Sequence, residues 1–212
     1  ISQLTEGKLK IDDLLEINTG ELLGRESTNP NQKLLEVNIA NKVVLVTGAG
    51  GSIGAELCRQ IVPLKPKMLI LFDISESSLY LIEQEILSTI SSGTEIIVRM
   101  GSVMDKYSMK RIFSYYGVHT IYHAAAYKHV PLVEQNSSQG ALNNAIGTMF
   151  AAQAAINANV KTFVLISTDK AVRPSSVMGA TKRVAELVLQ ALTKNDHNTC
   201  LTMVRFGNVL HS

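Results

Sequence analysis

Apolar positions along the chain fall into two regimes that divide near residue 40. From residue 43 onward, short apolar runs alternate with longer segments whose apolar residues recur at helical spacing. VVLVT (43–47) is apolar and β-branched, the pattern of a strand buried on both faces. MLILF (68–72) repeats it, and EIIVR (95–99), HTIYH (119–123), residues 161–167 and residues 200–205 complete six predicted strands. Helices are predicted over AELCRQIV, over 76–91, near 106–116, over one long Ala-rich stretch at 138–158 and from near 179. Strand and helix in regular alternation imply right-handed crossovers and a mostly parallel sheet covered on both faces. The predicted class is α/β, a Rossmann-type doubly wound parallel sheet in the order 3-2-1-4-5-6. Its ligands are expected at the carboxyl ends of the strands.

The first forty residues read differently. LKIDDLLEINTGELLGRE followed by STNPNQKLLEVN is polar, broken by Gly and Pro, and amphipathic only locally. DDLLEI and GELLGR echo each other without making a repeat. The expected organisation is an extended arm over 1–40, packing on the domain or on another subunit, and one domain over 41–212. The chain opens on Ile1 rather than methionine and is expected to be a piece of a longer protein.

Composition narrows the classes. A chain of 212 residues can bury a single large core, and 46% hydrophobic content without tryptophan suits an aliphatic α/β interior. A net charge of +2 with no basic run argues against a nucleic-acid surface. Cys58 and Cys200 have neither disulfide nor metal spacing, so both are expected to be buried thiols in a reducing compartment, and no metal is expected. Neither a signal peptide nor an apolar run long enough to cross a bilayer is present, which points to the cytoplasm.

Chemistry begins after the first strand, at Gly48-Ala49-Gly50-Gly51-Ser52-Ile53-Gly54. Gly48 allows the tight turn, Gly51 lets backbone approach a pyrophosphate, and Gly54 lets helix and strand pack closely. Free amides at the helix start, Ser52 and Ile53 among them, would face the phosphates. The second strand ends in Asp73, about twenty residues beyond the loop, where a ribose-binding carboxylate is expected, with Ser75 and Glu76 beside it. A carboxylate there accepts from ribose hydroxyls and repels a 2′-phosphate, and ISESSLY supplies no cation to offset it. NAD is therefore favoured, and NADP would need a basic side chain folded in from elsewhere.

Loops at the other strand ends are also small or polar. Gly101-Ser102-Val103 could hold an adenine, while Asp105 reads as a helix N-cap. Ala124, Ala125 and Ala126 after His123 would let backbone approach the nicotinamide ribose. Tyr127-Lys128-His129-Val130-Pro131 reads as a basic, aromatic turn, with Lys128 either meeting a diphosphate or simply solvated. Asn143-Asn144 is unusual inside a helix. Asn144 could satisfy a backbone group, or hold a catalytic water or the lysine.

TGAGGSIG, HAAAYKHVP, NNAIGT, STDK, MGATK and RFGNV, in this order, resemble the extended short-chain dehydrogenase/reductases. More narrowly they resemble the bacterial nucleotide-sugar 4,6-dehydratases of capsule, O-antigen and protein-glycan biosynthesis, from about residue 40 to the end. The run STDKAVRPSSVMGATK (167–182) carries the narrower likeness. Where such folds usually place a tyrosine four residues before a helical lysine, this chain has Met178 before Lys182. The resemblance implies UDP-N-acetylglucosamine as substrate, the UDP-4-keto-6-deoxy sugar as product, and NAD as a recycled redox cofactor.

It also implies roles. Asp169 would protonate the departing C6 oxygen and Lys170 would remove the C5 proton. Lys182 would hold the nicotinamide ribose, and Thr168 or Asp169 would manage the C4 hydroxyl proton. Ser167 joins the cofactor set, while Lys128, Asn144 and Asn208 form the substrate set. Taken alone, STDK could be a strand end with a capping turn, and Met178 could be core packing. Homo-oligomers and a membrane-anchored parent protein at the cytoplasmic face of the inner membrane are further expectations from the resemblance.

The family continues past RFGNVL into a smaller substrate domain, whereas this chain stops at Leu210-His211-Ser212, with His211 where glycine is more usual. The C-terminal substrate domain is therefore expected to be missing, leaving a chain that binds dinucleotide but turns over poorly. Two other readings stay open: a nucleotide-sugar 4-epimerase of the same fold, and a non-catalytic dinucleotide-binding module.

Overall fold

Alternate residues of the first strand feed two separate cores. In β1 (Val43–Thr47), Val43 and Leu45 join one apolar cluster while Val44 and Val46 join another, so the strand is buried throughout. The next strand, β2 (Met68–Asp73), divides the same way, Ile70 and Phe72 against Leu69 and Leu71. The structure, a computed structural model, describes residues 30–90 and 93–209. The chain divides into two units, Ile1–Gln32 and Lys33–Ser212, and the sheet with its covering helices belongs to the second. Most of the expected arm over 1–40, and the Leu210-His211-Ser212 end, lie outside the described residues.

The described chain enters through α1 (Gln32–Val37), which buries none of its residues. Asn38 then pins the entry to the sheet: Thr120 Oγ1 donates to its carbonyl at 2.7 Å and Thr162 Oγ1 to its Oδ1 at 3.2 Å. After β1 come α2 (Ser52–Ile61), a short 3₁₀ turn, β2, α3 (Glu76–Thr89), β3 (Glu95–Met100), α4 (Lys106–Tyr116) and β4 (Thr120–His123). The second half holds α5 (Val130–Gln135), α6 (Ser137–Ala141), a π turn (Leu142–Ile146), α7 (Gly147–Asn157), β5 (Thr162–Thr168), α8 (Val177–Leu192) and β6 (Cys200–Phe206). The six strands are parallel and ordered β3-β2-β1-β4-β5-β6, as the alternation predicts. Residues of α2 and α3 cover one face and residues of α4, α7 and α8 the other. Ala151, Ala152, Ala154 and Ala155 are all buried in α7, where their small side chains let the helix lie close on the sheet.

Several boundaries differ from expectation for local reasons. Helix α8 starts two residues early because Ser176 caps it, its hydroxyl accepting from the Gly179 amide. Asp105 caps α4 as expected, accepting from the amides of Tyr107 and Ser108. Val130-Pro131, expected in a turn, instead open α5, where a proline in the first turn removes only an amide without an intrahelical partner. The single helix expected over 138–158 is interrupted by the π turn around Asn143-Asn144. Cys58 is buried as expected, but Cys200 is exposed, because it begins β6 at the open edge of the sheet.

Candidate active site

The strand order reverses between β1 and β4, and that crevice holds the glycine loop. Gly48 turns out of β1 with φ +66, and a Cβ there would stand 2.6 Å from the Ala125 nitrogen. Only glycine satisfies both conditions. A Cβ on Gly54 would meet the Gly48 carbonyl oxygen at 1.9 Å, so α2 packs closer to the turn than any side chain allows. A Cβ on Gly51 would meet only that oxygen, at 3.3 Å, and Gly51 lines the cleft together with Ser52, Ile53 and Gly54. The tight turn expected of Gly48 and the close packing expected of Gly54 thus each have a steric ground.

Asp73, at the end of β2, holds the loop itself. Its Oδ2 accepts from the Gly50 amide at 2.9 Å and its Oδ1 from the Ser75 amide at 2.9 Å. The carboxylate also lines a cavity of about 240 Å³ with Gly101, Ser102, Val103, Ala124, Ala125 and Ala126. Ser75 and Glu76 line neither this cavity nor the larger cleft, contrary to expectation. Ser75 is spent capping α3, and Glu76 begins that helix.

The larger cleft, of about 760 Å³, shares Gly48, Gly51, Ala124, Ala126 and Tyr127 with the smaller cavity and runs on past Lys128 to Asn208. Lys170, Thr168, Met178 and Lys182 all line it. Met178 is 5% exposed, and the Lys182 ammonium donates to the Ile166 carbonyl at 2.6 Å. Burial pushes the Lys182 pKa down to about 8, against the opposing pull of the Glu186 carboxylate. At the carboxyl end of β5, Thr168 Oγ1 donates to Asp169 Oδ1 at 3.0 Å, and Lys170 Nζ lies 3.4 Å from the same oxygen. The Thr168 hydroxyl first, and Lys170 after it, hold the Asp169 carboxyl below its usual range. Lys170 Nζ also donates to Asn208 Oδ1 at 2.9 Å, joining two residues 38 positions apart. The Asp169 and Lys170 side chains are 56% and 43% exposed, and Asp169 lies beside the cleft lining, not in it.

Asn144 satisfies backbone groups, the first of the alternatives open to it. It is fully buried and touches neither Lys182 nor the cleft. Its Oδ1 accepts from the Tyr127 amide, and its Nδ2 donates to the Tyr127 carbonyl and to Thr181 Oγ1. The π turn presents this amide inward as a clamp between the loop after β4 and helix α8. Ser167 lines the cleft, but its hydroxyl donates to Glu186 Oε1 at 2.7 Å.

Glu186 itself is absent from the sequence-based site. It is fully buried in α8 and accepts from Ser167, Arg183 and both Nε and a terminal nitrogen of Arg205. Arg205 foremost, with Ser167 and Arg183, holds its carboxyl down to about 2. A readable signal existed: Met178, Lys182, Ala185, Glu186 and Leu189 recur at helical spacing on one buried face. Two ionisable groups on such a face mark a polar cluster inside the core. Thr47, Thr148 and Thr181, also fully or nearly buried, carry no comparable mark in the sequence. Among the described residues no His/Cys/Asp/Glu cluster suits a metal ion, and no helix is long and apolar enough to cross a membrane.

A parallel sheet in this order, a glycine turn at its switch point and a buried lysine beside the end of β5 define an extended short-chain dehydrogenase/reductase fold. The chain belongs to the polysaccharide biosynthesis protein family, which it matches over residues 44–212. It is 42% identical over its whole length to the capsular polysaccharide biosynthesis protein CapD of Staphylococcus aureus, of which it spans 35%. Among solved structures it resembles Pen from Bacillus thuringiensis, with a TM-score of 0.76 and 30% identity over 82% of this chain and 54% of that one. The dTDP-glucose 4,6-dehydratase DesIV of Streptomyces venezuelae, determined with NAD and TYD bound, shares the fold. Its TM-score is 0.65 at 24% identity, over 77% of this chain and 55% of that one.

Proposed function

We propose that this chain is the NAD-binding, catalytic part of a nucleotide-sugar 4,6-dehydratase that acts on UDP-N-acetylglucosamine in bacterial surface-polysaccharide biosynthesis. The observation that carries it is the buried Met178 in place of a phenol, in a cleft lined by Thr168 and Lys170 with Asp169 beside it. A 4-epimerase needs no such elimination pair, and a binding module needs no buried lysine beside it.

The residues present suit a dinucleotide. The cleft meets the start of α2 where the glycines leave room, so Gly51, Ser52 and Ile53 would hold the pyrophosphate. Asp73 and Gly101–Val103 border the cavity suited to the adenosine, and Ala124, Ala126 and Lys182 the one suited to the nicotinamide ribose. When bound, NAD⁺ supplies a hydride acceptor for C4 and later a hydride donor for C6.

The chain's own residues manage the protons. Asp169, held ionised, has an acceptor ready, and Thr168 Oγ1 at 3.0 Å offers a relay from the C4 hydroxyl. The proton gained there is the one Asp169 delivers to the C6 oxygen, which departs as water. Lys170 takes the C5 proton and returns it to C5 at the end, so the protons balance. Its Asn208 contact sets the direction of the amine. One acid and one base on a rigid strand end are what elimination next to a ketone requires. Mass spectrometry of UDP-N-acetylglucosamine incubated with NAD⁺ and the intact protein tests this. Loss of one water, giving a carbonyl-reactive product, is expected. An unchanged mass with NAD⁺ bound overturns the dehydratase reading.

A further inference from the structure

His123 ends β4, fully buried, one residue before the alanines that line the smaller cavity. A hydroxyl flanks each ring nitrogen: Thr47 Oγ1 lies 2.8 Å from Nδ1, and Thr148 Oγ1 lies 3.1 Å from Nε2. Each hydroxyl has one proton to give. Thr148 spends its own on the Asn144 carbonyl at 2.6 Å, so at Nε2 it accepts, and that nitrogen carries the ring proton.

Proton counting fixes the remaining contacts. Burial first, then the positive charge of Lys182, pushes the His123 pKa down to about 3, so the ring is neutral and has a single N–H. Nδ1 is therefore an acceptor, and Thr47 donates to it. The lone pairs of the Thr47 oxygen are left for the Ala125 amide, which donates at 3.3 Å. One arrangement of protons satisfies all four contacts. Around the ring stand Thr47 from β1, Thr148 from α7, the Phe163 ring from β5 with centroids 5.5 Å apart, and the charge of Lys182 from α8.

We infer that His123 is a positioning residue, locked as its Nε2–H tautomer, that holds the Ala124–Ala126 segment against the Gly48 turn. Thr47 immediately precedes Gly48, and Ala125 is the residue whose backbone a Gly48 side chain would strike. The relay therefore sets the spacing between the two walls of the crevice, and Asn144 extends it to Tyr127 and α8. A locked relay of this kind is rigid because each member has its partners and none is left unsatisfied. The effect on ligand binding rests on the dinucleotide reading; the tautomer does not.

Side-chain ¹⁵N NMR of the intact protein identifies which ring nitrogen carries the proton. The expected result is an Nε2–H signal for His123 that does not move between about pH 5.5 and 8, where an ordinary histidine titrates. An Nδ1–H signal, or a titrating ring, overturns the inference. Thr148→Val removes the acceptor without changing shape and should weaken NAD⁺ binding about tenfold. Thr148→Ser restores the hydroxyl and should stay within about twofold of the unmodified protein. His123→Phe combined with Thr148→Val should be no worse than the worse single change, because one relay is lost in either case. Additive losses, or a Thr148→Ser protein as impaired as Thr148→Val, overturn the role. If the unmodified protein binds no NAD⁺, the dinucleotide reading falls. The tautomer, and the same non-additivity measured in urea midpoints, then still decide the relay.

Discussion

Arg205 grips Glu186 through two nitrogens, Nε to Oε1 at 2.8 Å and a terminal nitrogen to Oε2 at 2.7 Å, and so ties strand β6 to helix α8. The carboxylate is fully buried, and Arg183 and Ser167 complete its shell. Removing one of its two arginines leaves the buried carboxylate with Arg183 and Ser167 alone, so Arg205→Met should lower the urea midpoint of the fold. The Glu186 pKa is lowered from an ordinary 4.5 to about 2. A carboxyl depressed on folding contributes stability that is complete above its unfolded pKa. That contribution is lost as the pH falls through the folded value. Unfolding free energies from urea titrations should therefore drop between about pH 5 and 2, by roughly 3 kcal/mol from this group. Glu186→Gln should flatten that part of the profile.

Two glycines of one loop should fail differently. Gly54→Ala drives a Cβ into the Gly48 carbonyl at 1.9 Å and should cost about 3 kcal/mol or more by overpacking. Gly51→Ala meets only an oxygen at 3.3 Å and faces the cleft, so the fold should survive while NAD⁺ affinity falls. Thermal unfolding and calorimetric titration of the two variants separate the effects. Equal melting temperatures would refute the steric distinction.

Lys182 is costly to keep. Its folded pKa lies at about 8, below the ordinary 10.5, so the folded state gives up its proton earlier than the unfolded chain. The folded state therefore gains relative stability as the pH rises from about 8 to 10.5, and at pH 7 it bears the full cost of a buried ammonium. Lys182→Met should stabilise the fold by about 1 kcal/mol at pH 7, the relieved charge outweighing the partner lost by Ile166. It should weaken NAD⁺ binding at the same time. The stabilisation should shrink at pH 10.5, measured as a difference in urea midpoints.

If Met178 contributes no proton, Met178→Leu should leave dehydration within about threefold, as a volume-conserving swap in a packed position. Asp169→Asn keeps the shape and removes the transferable proton, and should cost roughly a hundredfold or more in kcat. A product assay by mass spectrometry reads both. A large loss in Met178→Leu would argue for a role the thioether alone supplies.

The two thiols should separate cleanly under alkylation. Burial pushes the Cys58 thiol up to about 12 and shields it, while Cys200 is exposed at the sheet edge. Iodoacetamide at pH 8 should label Cys200 alone in the folded protein, as peptide mapping would show. Labelling of Cys58 under native conditions would mean that α2 opens from the sheet.

By itself the sequence determined the alternation, the strand order and the steric logic of the glycine loop. Each of these is local: buried strands read as unbroken apolar runs, and a turn at positive φ demands Gly48 at that place. Thr168, Asp169, Lys170, Met178 and Lys182 were picked out through the resemblance carried by one run of sixteen residues, a strand end and the helix that follows it. Tertiary structure alone decided which polar groups meet across elements. Lys170 with Asn208, Arg205 with Glu186, His123 with Thr47 and Thr148, and Asn144 with Tyr127 and Thr181 all join separate elements. No spacing rule relates them, because their distances are set by how helices pack on the sheet. It likewise decided that Cys200 lies open while Cys58 is covered, for a thiol's exposure depends on where its strand stands in the sheet.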